Sequence, residues 1–463
     1  MKKTFKSSLA VILVLALLSG FAFCVSAEAT LPVDQDVVAK HYGQYKNYVL
    51  LGDSIASGYR ETISKENMDY NYSLNETAFV RAPGSYSDII ANSIIEDQSM
   101  TPFAGPAFRT IEIRYMLEDD YEGDKYLFHH PFHDKSMGKH QDYVEEYRAA
   151  IANADLITLG VGGNDWGQML SWAVADITLS AENGNKYNKE IKEILENSTD
   201  FDQETLDQLI AIADKAGLVP ALIEYLPQAI NYGLQTFYEN WDIMIEDIYS
   251  YNPDVTLVVV GLCDTDYVAP EEATAVDTVK KMLVDAILTV GNKPMIDGAE
   301  KFGYIYVDVT GATFEGGHPD ENGHVYMANA IMAALPDPAV AGVYTDISTR
   351  DANYKAIETM ITSGAMAPKT ETTFEPDTYI TKSELKFALN TLTDSAVILE
   401  GDKAASRLNV AMAAANAALS GNFPFATKFS ALTFAFKYAF AGNITEKITR
   451  AEAAVFFYDF INL

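Results

Sequence analysis

The stretch Tyr48–Tyr59, YVLLGDSIASGY, poses the central question of the chain. An apolar run ends in Gly-Asp-Ser and passes at once into small residues suited to open a helix. A strand buried on both faces reads as a continuous apolar run rather than an alternation. Such a strand here delivers a serine to its own tip. Ser54 is then either a nucleophile or part of a helix cap, since Asp and Ser are preferred N-cap residues.

Comparable apolar runs recur at LITLGV (156–161), TLVVVGL (256–262) and YIYVDV (304–309). Between them lie helical patterns, among them SYSDIIANSIIED (85–97) and ENWDIMIEDIYSY (239–251). Strands alternating with helices predict βαβ units and a parallel sheet. The segment from Ser171 to Phe237 exceeds what a crossover needs and carries apolar residues at three- and four-residue spacing. It reads as a helical insertion beside the C-terminal ends of the strands: a lid, a substrate wall or an extra helical layer. Prolines in LPDPAVAG (335–342) mark a boundary near residue 340, and the Ala-rich remainder, 341–463, predicts a small, mostly helical domain.

The 463 residues are enough for two or three domains, and 48% apolar with 21% charged content fits a soluble globular protein. Lys and Arg number 33 against 65 Asp and Glu, a formal charge of -32. Such a balance repels phosphate backbones, so nucleic acid is excluded as a partner class, and anionic lipid surfaces are disfavoured for the same reason. At the N-terminus, Lys2, Lys3 and Lys6 precede the apolar run Leu9–Val25 and small-residue sites ending at Ala27 and Ala29. Residues 1–27 read as a secretory signal. The run is short for a span, and the bulky Phe23 before Cys24 does not suit a lipobox. No later segment is long and apolar enough to cross a membrane. With Cys24 removed, Cys263 is a lone thiol at the end of a buried run, unable to form an internal disulfide and expected to be inert core.

A nucleophilic Ser54 needs a base within hydrogen-bond reach and donors for an oxyanion. The G-x-S-x-G elbow is absent around it. His318 lies in TFEGGHPDENGH, a Gly-rich loop directly after YIYVDV, at the strand end where sites of open α/β sheets lie. Glu315, three residues earlier, can fold back to accept the ring N–H and fix the tautomer. In LGVGGNDWG (159–167), Asn164 places a neutral amide at another strand tip, as an oxyanion donor or an Asx turn. In FAGPAFRTIEIRYML (103–117), Gly105 precedes a helix and frees its backbone N–H to point into a pocket.

These blocks in this order, from about residue 45 to 335, resemble the SGNH (GDSL-type) hydrolases. The resemblance implies a flavodoxin-like three-layer α/β/α sandwich and ester hydrolysis through an acyl-enzyme, without metal or cofactor. It implies Ser54 as nucleophile and His318 as general base and then acid. The oxyanion hole it implies is the backbone N–H groups of Ser54 and Gly105 with the Asn164 side chain. The family's last block is usually Asp-x-x-His; here Glu315 stands at the matching position, and a dyad is the alternative to a triad. Asp53, Asp165 and His324 read as structural. The substrate range this implies includes esters on carbohydrates, acetyl groups among them, and lipids, lysophospholipids and thioesters.

A rival cluster, HHPFHDKSMGKH, holds His129, His130, His133, His140 and Asp134. Its spacing matches no standard zinc pattern, and a polar surface loop is the expected reading.

In the C-terminal part, YTDISTRDANYKAIETMITSGAMAPKTETTFEPDTYITKSELKFALNTL (344–392) resembles an S-layer homology module. Its ending, ITKSELKFALNTL (380–392), recurs weakly as ITRAEAAVFFYDFI (448–461), with DKAASRLNVAMAAANAALSG as separator. The resemblance implies binding to bacterial cell-wall polysaccharide through Arg450 and its altered counterpart Lys382. The chain is expected to be an exported, wall-attached serine esterase; a lipase-type acylhydrolase and a non-catalytic surface protein on the same fold are the alternatives.

Overall fold

The computed structural model describes residues 31–59, 79, 81–123, 127, 138–165, 219–263, 275–315, 317–393, 395, 397, 399, 401–420 and 425–463. The signal sequence, residues 171–218 of the expected insertion, and His129, His130, His133 and Asp134 lie outside them. The chain divides into two compact units, Met1–Leu335 and Pro336–Leu463.

The first unit runs α1 (Gln35–His41), β1 (Tyr48–Gly52), α2 (Ser54–Ser57), α3 (Tyr86–Ile94), β2 (Thr101–Ala104), α4 (Thr110–Leu117), α5 (Val144–Asn153) and β3 (Leu156–Gly160). It continues with α6 (Val219–Tyr251), β4 (Thr256–Val260), α7 (Ala275–Phe302), β5 (Ile305–Val307), β6 (Phe314–Glu315), β7 (His318–Pro319) and α8 (Glu321–Ala334). The five long strands form one parallel sheet in the order β2-β1-β3-β4-β5. That is the flavodoxin-like doubly wound order, whose switch point lies beside β1. The expected α/β fold is present. Residues 219–237 of the expected insertion are the N-terminal half of α6, continuous with the helix over 239–251.

Alternation along the strands builds two cores. Val49, Leu51, Ile157, Leu159, Leu257 and Val259 face one side, against α4, α5 and α6 residues such as Ile113, Ile151 and Trp241. Tyr48, Leu50, Val258 and Val260 face the other, against Ile90 and Ile94 of α3 and Met327 and Ile331 of α8. Both faces are covered, which is why the strands read as continuous apolar runs. Cys263 is buried, as expected of a core cysteine.

The second unit holds α9 (Tyr354–Thr362), α10 (Lys382–Thr393), α11 (Arg407–Ser420), α12 (Phe425–Phe440) and α13 (Arg450–Ile461). Three short extended segments, 379–381, 404–406 and 447–449, bridge one another in a closed ring: Tyr379 to Thr449, Thr381 to Ala404, and Ser406 to Lys447. Each leads directly into a helix, α10, α11 or α13, and each helix opens with the same reciprocal cap. Thr381 with Glu384, Ser406 with Asn409 and Thr449 with Glu452 exchange backbone N–H and side-chain oxygen bonds. The segment expected to be a separator therefore carries a third copy of the pattern. Its Asn409 in place of Glu384 and Glu452, and its Ala405 in place of Ile380 and Ile448, disguise its T-R-A-E pattern.

Candidate active site

The strand register sets the site. Gly52 pairs with Ala104 on one side and Gly160 on the other, so the chains leaving β1, β2 and β3 emerge side by side. Gly52 takes φ +145, and a Cβ there would sit 2.2 Å from the Gly160 carbonyl oxygen. The close approach admits only glycine, and it lets the Asp53 N–H donate to Gly160 O at 3.0 Å.

Asp53 is the N-cap of α2. One carboxylate oxygen accepts from the Ile55 and Ala56 N–H groups at 2.9 and 3.5 Å. That cap turns the chain within two residues of the strand and leaves the N–H of Ser54, first residue of the helix, outside the cap. Ser54 is thus both things the sequence allowed: it opens a capped helix, and its Oγ points away from it.

Its Oγ lies 3.0 Å from Nε2 of His318, 264 residues downstream. His318 is carried on the β6–β7 hairpin, whose tight turn includes Gly317 at φ +82. The register places Glu315 directly opposite His318. The Glu315 side chain, and with it the expected carboxylate–imidazole bond, lies outside the described positions. Tyr59 packs its ring edge-on against His318 with centroids 4.9 Å apart. Nothing in the sequence reading singled out Tyr59, although it ends the quoted stretch; its N–H returns to Ser54 O at 3.0 Å, so the turn itself brings it back.

Asn164 sits at the tip of β3, its Nδ2 donating to Phe108 O at 3.1 Å and, at 3.5 Å, to the second oxygen of Asp53. Its neighbour Asp165 is buried and accepts from Thr110 N and Oγ1, at 3.1 and 2.5 Å, thereby capping α4. Asp53 and Asp165 act structurally, as the sequence suggested. Burial pushes both carboxyls up to about 7, against the downward pull of the N–H and O–H donors they accept. His324 is likewise internal: its Nδ1 accepts the Tyr86 N–H at 3.2 Å.

Two expected roles need correction. The Gly105 N–H does not point into the site; it donates to Gly52 O at 2.9 Å, extending the β1–β2 ladder by one residue. Pro106 has no N–H to offer in its place. Ala107, next in the loop, holds a left-handed φ of +64, a strained conformation for a residue with a Cβ.

Arg450 is the second correction. Its side chain is 1% exposed. The guanidinium donates to Phe374 O (3.0 Å) and Ala367 O (2.6 Å), pairs with Glu384 (2.5 Å) and stacks over the Phe374 ring. Every face of the group is used inside the unit, so none is left for a polymer. Lys382, its counterpart at the start of α10, is half-buried.

Of the four histidines in the histidine-rich stretch, His140 is the one among the described residues. It is buried between the rings of Phe79 and Phe108, at 4.7 and 4.9 Å between centroids. Among the described residues no group of His, Cys, Asp or Glu is arranged to hold a metal ion.

Residues 343–385 match the S-layer homology domain. No curated protein matches the chain. Among solved structures, the extracellular lipase from Streptomyces rimosus is 17% identical, covering 63% of this chain and all of its own, at a TM-score of 0.34. Phospholipase A1 from Streptomyces albidoflavus NA297 is 14% identical with the same coverage, at a TM-score of 0.33. Likeness of that strength fixes neither activity nor substrate. No helix among the described residues is long and apolar enough to cross a membrane.

Proposed function

We propose that the first unit is a serine ester hydrolase working through an acyl-enzyme, exported and held at the bacterial cell wall by the second. The observation that carries this reading is the 3.0 Å contact between His318 Nε2 and Ser54 Oγ at the mouth of a doubly wound sheet. Serine and imidazole at hydrogen-bond distance are a nucleophile with its base.

In this mechanism His318 takes the Ser54 proton as Oγ adds to the ester carbonyl. The resulting oxyanion accepts hydrogen bonds from the Ser54 N–H and the Asn164 amide, whose contact to Asp53 at 3.5 Å is long enough to exchange. The imidazolium then protonates the departing alkoxide, leaving acyl-Ser54. Water, deprotonated by His318, adds to the acyl carbon, and collapse of that intermediate returns the serine and releases the acid. Glu315, opposite His318 in the hairpin register, is assigned the second ring nitrogen.

The S-layer homology match supports attachment to wall polysaccharide, with Lys382 rather than Arg450 as the candidate contact. A wall-directed enzyme suits esters on carbohydrate, acetyl groups first. The test is hydrolysis of p-nitrophenyl esters of increasing acyl length by the protein and by Ser54→Ala. Loss of about 10³-fold or more in the variant, with circular dichroism unchanged, is the expected result. Preference for acetyl over long chains supports the carbohydrate ester; the reverse preference moves the assignment to a lipid acylhydrolase. Equal activity in both proteins refutes the nucleophile.

A further inference from the structure

In the α11–α12 hairpin alanines fill much of the buried face, with Val410, Phe434 and Tyr438 beside them, while several large apolar residues stand in solvent. The alanines are Ala413, Ala414, Ala417 and Ala418 on α11, and Ala431, Ala435 and Ala439 on α12. Phe429, Phe436 and Phe440 are 67%, 61% and 74% exposed, and Met412 and Leu419 are 55% and 57% exposed. Their spacings, 429, 436, 440 and 412, 419, are helical, so each set lies along one face of its helix. Scattered exposed apolar residues are ordinary, but an aligned row of exposed aromatic residues along one helix marks a docking surface.

The charge around this face identifies the occupant. From 403 to 445 the chain has no Asp or Glu at all, but has Lys403, Arg407, Lys428 and Lys437. In a chain with 65 acidic residues this is the reverse of the general balance. The acidity belongs mainly to the first unit, for residues 336–463 hold 11 Lys and Arg against 14 Asp and Glu. Lys437 is exposed between Phe436 and Phe440, and Lys428 lies at the other end of α12, donating to Leu419 O at 3.3 Å. Arg407 stacks over Tyr438, with Glu446 at 3.9 Å, so it is partly neutralised.

We propose that this face docks on an anionic lipid bilayer, with α12 lying in the plane of the interface. Phenylalanines that enter the acyl boundary beside lysines that stay at the headgroups are the combination such surfaces select. The helix spans about 24 Å along its axis, and it does not qualify as a membrane span, so it lies on the bilayer and does not cross it. A second copy of the same face is a poorer occupant, because it would bring together two patches that carry Lys428 and Lys437 and have no acidic residue from 403 to 445 to pair with them. The expectation that anionic lipid is repelled holds for the chain's net charge and fails for this patch. The inference is independent of the reaction assigned to the first unit.

The experiment is flotation of the whole protein with vesicles of phosphatidylglycerol or of phosphatidylcholine, at low and high salt. Binding to phosphatidylglycerol vesicles is expected to exceed binding to phosphatidylcholine at least tenfold and to weaken with salt. Phe436→Ser/Phe440→Ser should lower it tenfold or more. Lys437→Glu, an exposed change that leaves the apolar row intact, should lower binding to phosphatidylglycerol alone. Unchanged binding in either variant overturns the proposal, as does equal binding to the two lipids. Sedimentation of the protein without lipid is the control: a dimer that either variant dissolves would make the face a contact between copies and would also overturn it.

Discussion

Removing Arg450 separates a structural role from a ligand-binding one. Arg450→Ala deletes the hydrogen bonds to the buried carbonyl of Phe374 and to the more exposed carbonyl of Ala367, and the ion pair with Glu384. A buried acceptor left without its donor costs about 1–3 kcal/mol, and a fully buried ion pair costs about 3–5 kcal/mol to break, an upper bound here because Glu384 is 28% exposed. These losses overlap, and Glu384 keeps Lys369 at 2.6 Å and the Thr381 N–H at 2.8 Å, which moderates its share. A destabilisation of about 4 kcal/mol results, equivalent to a fall of roughly 15 °C in the unfolding temperature of a unit this size.

Calorimetry of the whole chain reads this directly: the transition of the second unit should move while that of the first stays. Arg450→Lys keeps a charge but offers no planar fork, so it should fall between the two. A variant that unfolds at the wild-type temperature yet no longer binds isolated cell walls would refute the argument and restore Arg450 as the wall contact.

Asn164→Ala should lower kcat by about 10²–10³-fold with little change in KM, as loss of an oxyanion donor does; an unchanged kcat in steady-state assays would remove it from the mechanism. Glu315→Gln should cost activity far less than Ser54→Ala and shift the acidic limb of the kcat/KM profile; a profile that does not move leaves the site a dyad. Asp53 carries a folded-state pKa raised from 3.8 to about 7, so below 3.8 its stability contribution is fully present, and it is lost as pH rises through 7. Asp53→Asn should therefore flatten the decline of stability between pH 4 and 7, by up to ~1.4 kcal/mol per pH unit, in urea titrations. Ala107→Gly should stabilise the first unit by about 1 kcal/mol by relieving a left-handed φ, read from the urea midpoint.

The sheet was legible because its strands are buried on both faces and so announce themselves as apolar runs; the β2 strand, TPFA, is too short and mixed to do so, and the sequence reading passed over it. Ser54, Asn164 and His318 were legible because each follows a strand and lies in a glycine-rich turn. Gly105 was misread because a glycine before a helix says that the backbone is free to bend, while the direction of its N–H depends on the neighbouring strand. Arg450 was misread for a related reason. A motif position gives residue type, and only packing shows whether a guanidinium faces a ligand or two carbonyls of its own chain. The third copy of the repeat was hidden because the ring of bridges constrains backbone positions and caps, and Ser406 with Asn409 satisfies both without resembling Thr-x-x-Glu.

The loss of Gly105 as a donor has a consequence for how the site is held. With its N–H fixed on Gly52 O, the loop after β2 serves the site from behind: Phe108 O receives the Asn164 amide, and Thr110 is held by Asp165. Adjacent residues of one loop, Asn164 and Asp165, thus grip the other at Phe108, next to the strained Ala107, and at Thr110, the first residue of α4. Asp53 closes the arrangement by capping the serine's helix with one oxygen and reaching Asn164 with the other. Burial raises both carboxyls toward neutrality, and a protonated carboxyl cannot serve the same acceptor role at both oxygens. The positions of Ser54 and Asn164 are therefore coupled through Asp53, and that coupling changes as its carboxyl, raised by burial to about 7, ionises.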